Sequence, residues 1–158
     1  MTWSDSITKY LSSNEEAEIY KKAKLKEAKI GGRPALIRTD IDWSDYSCRR
    51  NVWLKREHPD FYEWAKDYNN ADLIGEGYAP LDHHGDQIEL HHIGQHSDSP
   101  FSELTCYEHR SEGNFSILHP NGDESEINRY RFKTEKSDYW QARFKAFSKE
   151  ELAKIYGK

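Results

Sequence analysis

The chain has 158 residues, of which 35% are hydrophobic and 13% aromatic; it is long enough for one buried core and too aromatic for a disordered segment. Its 28 acidic residues outnumber its 23 basic ones, giving a net charge of -5, which excludes a uniformly basic nucleic-acid coat protein. The two cysteines, Cys48 and Cys106, form no CxxC pair, which disfavours a disulfide framework and a four-cysteine zinc site.

The N-terminal part is predicted to be mainly helical. Apolar residues recur at near-helical spacing over residues 4–29, which indicates one or two amphipathic helices that end at Gly31-Gly32. Residues 34–41 form a short apolar stretch typical of a strand. A second helical pattern over residues 49–70 is interrupted at His58-Pro59, where proline ends one helix and starts another.

A β-hairpin is predicted in the middle of the chain. Residues 77–82 and 87–93 form two apolar stretches, and a Gly-Asp turn at residues 83–86 separates them. The adjacent His91 and His92 lie at the end of the second strand, where side chains alternate between opposite faces. We therefore expect these two histidines to have different roles, one as a metal ligand and the other as a base, if a local distortion brings both to the site.

The C-terminal part is predicted to be largely helical. Helices are expected over residues 102–110 and 134–156, and a capping box of Ser148 and Glu151 divides the second of these. Basic residues cluster in this part of the chain: Arg129, Arg131, Lys133, Lys136, Arg143 and Lys145. Each alone is simply typical of a solvated helix face, but together they favour nonspecific binding to a nucleic-acid backbone.

The histidines are strongly clustered. Seven of the eight lie between His83 and His119, although histidine is neither a good strand former nor a common core residue. Neutral imidazole is a common metal ligand, so we predict one divalent metal ion. Zinc and nickel suit imidazole, and a hydrated magnesium or manganese ion needs only one or two protein ligands, so the identity of the ion stays open.

An ordered series of motifs is similar to a known family. The series includes Gly77-Tyr78-Ala79-Pro80-Leu81-Asp82, Leu90-His91-His92-Ile93-Gly94-Gln95, Glu108-His109-Arg110, Ile117-Leu118-His119 and Tyr139-Trp140. From about residue 75 to residue 145 the chain resembles the LHH nucleases of the HNH/endonuclease VII superfamily. These nucleases are commonly toxic C-terminal modules of bacterial polymorphic toxins. Residues 43–76 depart from the family pattern.

The resemblance implies an α+β fold with an HNH/ββα-metal core, made of a β-hairpin and a helix, and mainly helical N-terminal and C-terminal additions. We expect residues 1–70 to form an accessory region packed on this core. Residues 71–158 are expected to form the nuclease core with the C-terminal helices.

The resemblance also implies roles for individual residues. His91 is expected to serve the catalytic centre as a metal ligand, with His119 and His109 as candidate further ligands. His92 is the expected general base, and Asn114 is a candidate catalytic residue that orients the base or its loop. Contacts with nucleic acid are expected from Gln95, Arg110, Arg129, Arg131, Lys133 and Arg143.

The implied activity is hydrolysis of phosphodiester bonds by a metal-dependent HNH-type endonuclease, on DNA or, as an alternative, RNA. The implied biological role is that of an antibacterial toxin. An immunity protein would neutralise it and a larger secreted carrier would export it, and no membrane partner is expected. The chain shows no signal peptide, so we expect it in the cytoplasm of the producing or target cell, or secreted within a larger toxin. The alternative is a noncatalytic zinc-binding module for nucleic acid or protein, which the missing cysteine pairs disfavour.

Overall fold

The structure is a computed structural model that describes residues 2–111, 113–120 and 129–157. The helices are α1 (Asp5–Thr8), α2 (Asn14–Lys22), α3 (Val52–Glu57), α4 (Pro59–Ala65), α5 (Asn70–Gly75), α6 (Cys106–Arg110), α7 (Asn114–Leu118), α8 (Arg129–Lys145) and α9 (Lys149–Tyr156). The strands are β1 (Lys26–Ile30), β2 (Arg33–Ile37), β3 (Glu89–His92) and β4 (Phe101–Leu104). This mixture of helices with a small sheet confirms the predicted α+β class.

The four strands form one sheet in the order β1-β2-β4-β3. Strands β1 and β2 are antiparallel, β2 and β4 are parallel, and β3 and β4 are antiparallel. The β3–β4 register places His91 opposite Ser102 and His92 opposite Phe101. Helix α6 follows β4 after one residue. The chain therefore contains a β-hairpin followed by a helix, with the double histidine on the first strand.

This hairpin is not the one predicted from the sequence. Residues 77–82 contribute only the isolated bridge between Leu81 and Gln87, whereas β3 pairs with β4. The helix predicted over residues 102–110 begins only at Cys106. All four residues of β4 are buried, because the strand is covered on both faces and flanked by β2 and β3. A strand buried on both faces loses the apolar-polar alternation by which a sequence reveals it.

The helical prediction for residues 4–29 is also wrong at its end. Helix α2 stops at Lys22, and residues 26–30 form β1. The chain then turns through Gly31 and Gly32, whose φ angles are 60° and 79°. Two successive residues with positive φ are typical of the two-residue turns that fit the twist of a hairpin.

The connection between β3 and β4 packs closely against the N-terminal region. Gly94 has a φ of 71°, and a Cβ atom added there would lie 1.9 Å from the carbonyl oxygen of Tyr10. Gln95 also has a positive φ, 59°, which is uncommon for a residue with a side chain. The residues that follow the double histidine thus pack directly on the N-terminal region.

The chain divides into two compact units, residues 1–40 with 89–134 and residues 41–88 with 135–158. We call them unit 1 and unit 2. Unit 1 contains the sheet and an apolar core contributed by its helices, its strands and the segments that flank or connect them: Trp3, Ile7, Ala17, Ile19, Tyr20, Leu25, Leu36, Ile93, Leu104 and Leu118. The boundary at residue 70 between an accessory region and a nuclease core stays a prediction.

Unit 2 is helical, and two sequence predictions are confirmed in it. Helix α3 ends before His58, and Pro59 begins α4. Ser148 caps α9 in a capping box with Glu151. The core of this unit includes Cys48, Tyr62, Ala65, Leu73 and Leu81.

Across the described part of the chain, no helix combines the length and the apolar character needed to span a bilayer.

Candidate metal centre

Three histidines of unit 1 converge on one point. His91 lies on β3, His109 on α6, and His119 directly after α7. Each ring offers one nitrogen atom, and these three atoms lie within 4.8 Å of one another. His91 and His109 are buried and His119 is partly exposed. We call these three residues the histidine cluster.

The rings of His109 and His119 are oriented by their Nδ1 atoms. Nδ1 of His109 donates a hydrogen bond of 2.7 Å to the carboxylate of Glu89, and Nδ1 of His119 donates one of 2.9 Å to the carbonyl of Phe115. In a neutral imidazole the other nitrogen is then an acceptor. The two Nε2 atoms lie 3.2 Å apart, so two lone pairs face each other, an arrangement that a cation stabilises.

His91 completes the cluster. It donates a hydrogen bond to the backbone carbonyl of Leu118, and among the described residues its buried Nε2 has no hydrogen-bond partner. The backbone bond therefore involves Nδ1 and leaves the lone pair of Nε2 directed into the cluster. Burial, with the nearby charges of His109, His119 and His92, lowers the pKa of His91 well below its usual value. The ring is thus held in the neutral form that ligates metals.

Glu89 supports the cluster from behind His109. Burial alone would raise the pKa of this carboxyl, but the hydrogen bond from His109 and the charges of His109 and Arg110 hold it below its usual value. A carboxylate that accepts the second N–H of a ligating histidine fixes the orientation of the ring and increases its basicity. Sequence reasoning missed Glu89, although it lies two residues before His91 and therefore on the same face of β3.

His92 occupies different surroundings from those of its neighbour His91. Its ring makes T-shaped contacts with Phe101 and Phe132, at centroid distances of 4.7 and 4.5 Å. The side chain is buried, with 3% of its surface exposed. The structure thus brings His91, and not His92, into the histidine cluster.

Two other predicted site residues are Asn114, the first residue of α7, and Gln95, in the connection between β3 and β4. The Nδ2 atom of Asn114 donates a hydrogen bond of 2.8 Å to the carbonyl of Glu108, which ties the start of α7 to α6. Asn114 thereby positions the segment between His109 and His119. Gln95 lies in the β3–β4 turn with 4% of its surface exposed, so a role in phosphate binding has no support from its position.

The predicted basic residues differ in their placement. Arg110 is exposed and bonds to Glu89, and Arg131 and Lys133 on α8 are exposed. Arg143 is buried in unit 2, where its guanidinium lies 5.1 Å from the centre of the Trp43 ring. That burial argues against a phosphate contact by Arg143. The side chain of Arg129 lies outside the described residues.

The histidine cluster could hold a divalent ion. Ligand nitrogens about 2.0 Å from a tetrahedral zinc ion lie about 3.3 Å from each other, and the two Nε2 atoms of His109 and His119 are separated by 3.2 Å. The three ligands that the described residues provide leave a coordination position open, as in catalytic sites rather than in closed structural ones. His91, His109 and His119 are the residues that would hold the ion.

A comparison with protein families matches residues 69–146 to a family described as a nuclease of the HNH/ENDO VII superfamily with conserved LHH. The matched range contains Leu90-His91-His92 and the whole histidine cluster. Comparisons with curated proteins and with solved structures give no match. The range agrees closely with the resemblance over residues 75–145 and confirms it. Residues 69–146 of this chain belong to the LHH family of HNH/ENDO VII superfamily nucleases.

Proposed function

We propose that the chain is a metal-dependent endonuclease that hydrolyses the phosphodiester bonds of DNA, with one divalent ion held by the histidine cluster. The observation that supports this most directly is the orientation of the cluster. Each of the three rings is held by a hydrogen bond at one nitrogen and directs its other nitrogen to a common point. The family match supports nuclease activity, and the histidine cluster would be the metal site for that activity.

Cutting a phosphodiester is slow because negative charge gathers on the phosphorus oxygens and on the departing sugar oxygen. A divalent cation, when bound, neutralises that charge. Within this chain, His91, His109 and His119 would hold the cation, and Glu89 keeps His109 oriented. His92 takes the proton of the attacking water as general base, a contribution of about 10²–10⁴ in rate. The support for this role of His92 is the resemblance alone. Its side chain is only 3% exposed, so its position in the structure adds no support.

The proposal is tested by incubating the purified chain with supercoiled plasmid and, separately, with RNA in the presence of Zn²⁺, Mg²⁺, Mn²⁺ or Ni²⁺. We expect DNA cleavage with at least one of these ions and its complete loss on addition of EDTA. Intact nucleic acid with every ion would contradict the proposal. If the melting temperature then fell on chelation without any cleavage, the noncatalytic zinc-binding alternative would take its place. Cleavage of RNA alone would correct the substrate.

We further propose that the chain acts as an antibacterial toxin module, carried by a larger secreted protein and neutralised in the producing cell by an immunity protein. The support is the resemblance to nucleases that commonly serve as toxin modules. An inhibitory partner that blocks a phosphate-binding surface is expected to be acidic. Expression in a bacterial cytoplasm should stop growth, and co-expression of the neighbouring gene should restore it. Unimpaired growth with the unmutated chain would contradict the toxin role.

A further inference from the structure

Glu16 on α2 is a fully buried acidic residue, with 0% of its surface exposed. Its Oε1 accepts hydrogen bonds from the backbone nitrogen and the hydroxyl of Ser12, at 2.8 and 2.9 Å. Its Oε2 accepts one from the hydroxyl of Tyr20 and one of 2.9 Å from the backbone nitrogen of Gly94. Each oxygen therefore receives a backbone N–H, which can only donate, and the group is arranged as an acceptor on both sides.

The two carboxylate oxygens of Glu16 face different parts of unit 1. Oε1 bonds to Ser12 next to the N-cap of α2, a local interaction common at helix starts. Oε2 points into unit 1, where it lies 3.8 Å from Nε2 of His91. That nitrogen is the buried atom that, among the described residues, has no hydrogen-bond partner. The inner oxygen thus faces the histidine cluster.

Glu16 lacks a permanent positive partner. In the part of the chain that the structure describes, its one ion-pair contact is the one with His91, at 3.8 Å, and an imidazole, unlike a lysine or arginine side chain, carries no permanent positive charge. A buried carboxylate without a cation is costly, and buried charges in proteins are paired or lie beside a metal ion. A cation in the histidine cluster would supply the missing charge to Glu16 and the missing partner to His91 together.

We propose that Glu16 is a positioning residue of the metal centre, which compensates the charge of the bound cation and fixes the turn after the double histidine through Gly94. This inference rests on the proposed function in one respect, namely that the histidine cluster binds a divalent ion. Glu16 lies outside the family match over residues 69–146. The metal centre of this chain therefore depends on a residue of the N-terminal region.

The test compares Glu16→Gln with Glu15→Gln, which removes the same charge from an exposed position on the same helix. Affinity for Zn²⁺ and Mn²⁺ is measured by competition with a chromophoric chelator, and the melting temperature is recorded with and without metal. We expect Glu16→Gln to weaken metal binding by about 10–100-fold, the usual effect of losing a partner outside the ligand set. Glu15→Gln should bind as the wild type does. Equal affinity of Glu16→Gln and wild type would overturn the inference.

A second variant, Tyr20→Phe, separates the effect of the charge of Glu16 from the effect of its hydrogen bonds on the fold. It also keeps the inference testable if Glu16→Gln does not fold. It removes one hydrogen bond to the carboxylate and leaves the charge of Glu16 in place. We expect a lower melting temperature with metal affinity close to that of the wild type. A loss of affinity of about 10–100-fold in Tyr20→Phe would show a purely structural role and overturn the inference. If the wild type itself bound no metal, the proposed function would fail first.

Discussion

Replacing His91 with alanine is expected to abolish metal binding by the histidine cluster and to reduce DNA cleavage to background. The change removes one of three proposed ligands, whose nitrogen atoms lie within 4.8 Å of one another. His91 is the one of the three that lies on a strand of the sheet. The loss of affinity should exceed the roughly 10–100-fold effect typical of an outer partner. Chelator competition measures the affinity, and plasmid cleavage measures the activity.

The matched control for this variant is His84→Ala, which removes an exposed histidine outside the cluster. It should leave both affinity and cleavage unchanged. His91 is itself buried, so circular dichroism and a melting curve must show that the metal-free variant is folded. Retained cleavage by folded His91→Ala would mean that the histidine cluster is not the catalytic metal site.

The second large effect is expected from His92→Gln, which should lower the cleavage rate by about 10²–10⁴ while metal affinity stays unchanged. Glutamine approximates the size of the ring but cannot accept a proton near neutral pH. Because His92 lies outside the histidine cluster, the ligand set remains complete. The cleavage rate is measured at saturating metal, and the metal affinity is measured in parallel. A lower rate at unchanged affinity distinguishes a general base from a metal ligand.

The burial of His92 gives this experiment a second possible result. The ring packs on Phe101 and Phe132, so a residue with only a packing role would show another pattern. In that case His92→Gln would lower the melting temperature, and cleavage measured well below that temperature would remain close to the wild-type rate. Such a result would remove His92 from the catalytic residues without affecting the role of His91, His109 and His119.

The metal centre shows how far the sequence leads. The resemblance implied His109 and His119 as candidate ligands beside His91, although His119 lies 28 positions after His91 in the sequence. Strand alternation predicted different roles for His91 and His92, with both expected at the same catalytic centre. The structure places His91 in the histidine cluster and His92 outside it. The same reasoning assigned Gln95 and Arg143 to nucleic-acid contacts, and their burial does not support this. Burial depends on which elements pack together, which a single residue type does not reveal.

The sequence by itself determined the local features of this protein. The break at His58-Pro59, the capping box of Ser148 and Glu151 and the order of the histidine motifs all depend on residues a few positions apart, or on a pattern read along the chain. Only the tertiary structure decided that β3 pairs with β4 rather than with residues 77–82, and that Glu16 is buried beside His91. Strand partners and buried charges are selected by contacts between segments far apart in sequence. The free energy of those contacts depends on the whole packed unit and not on any short segment.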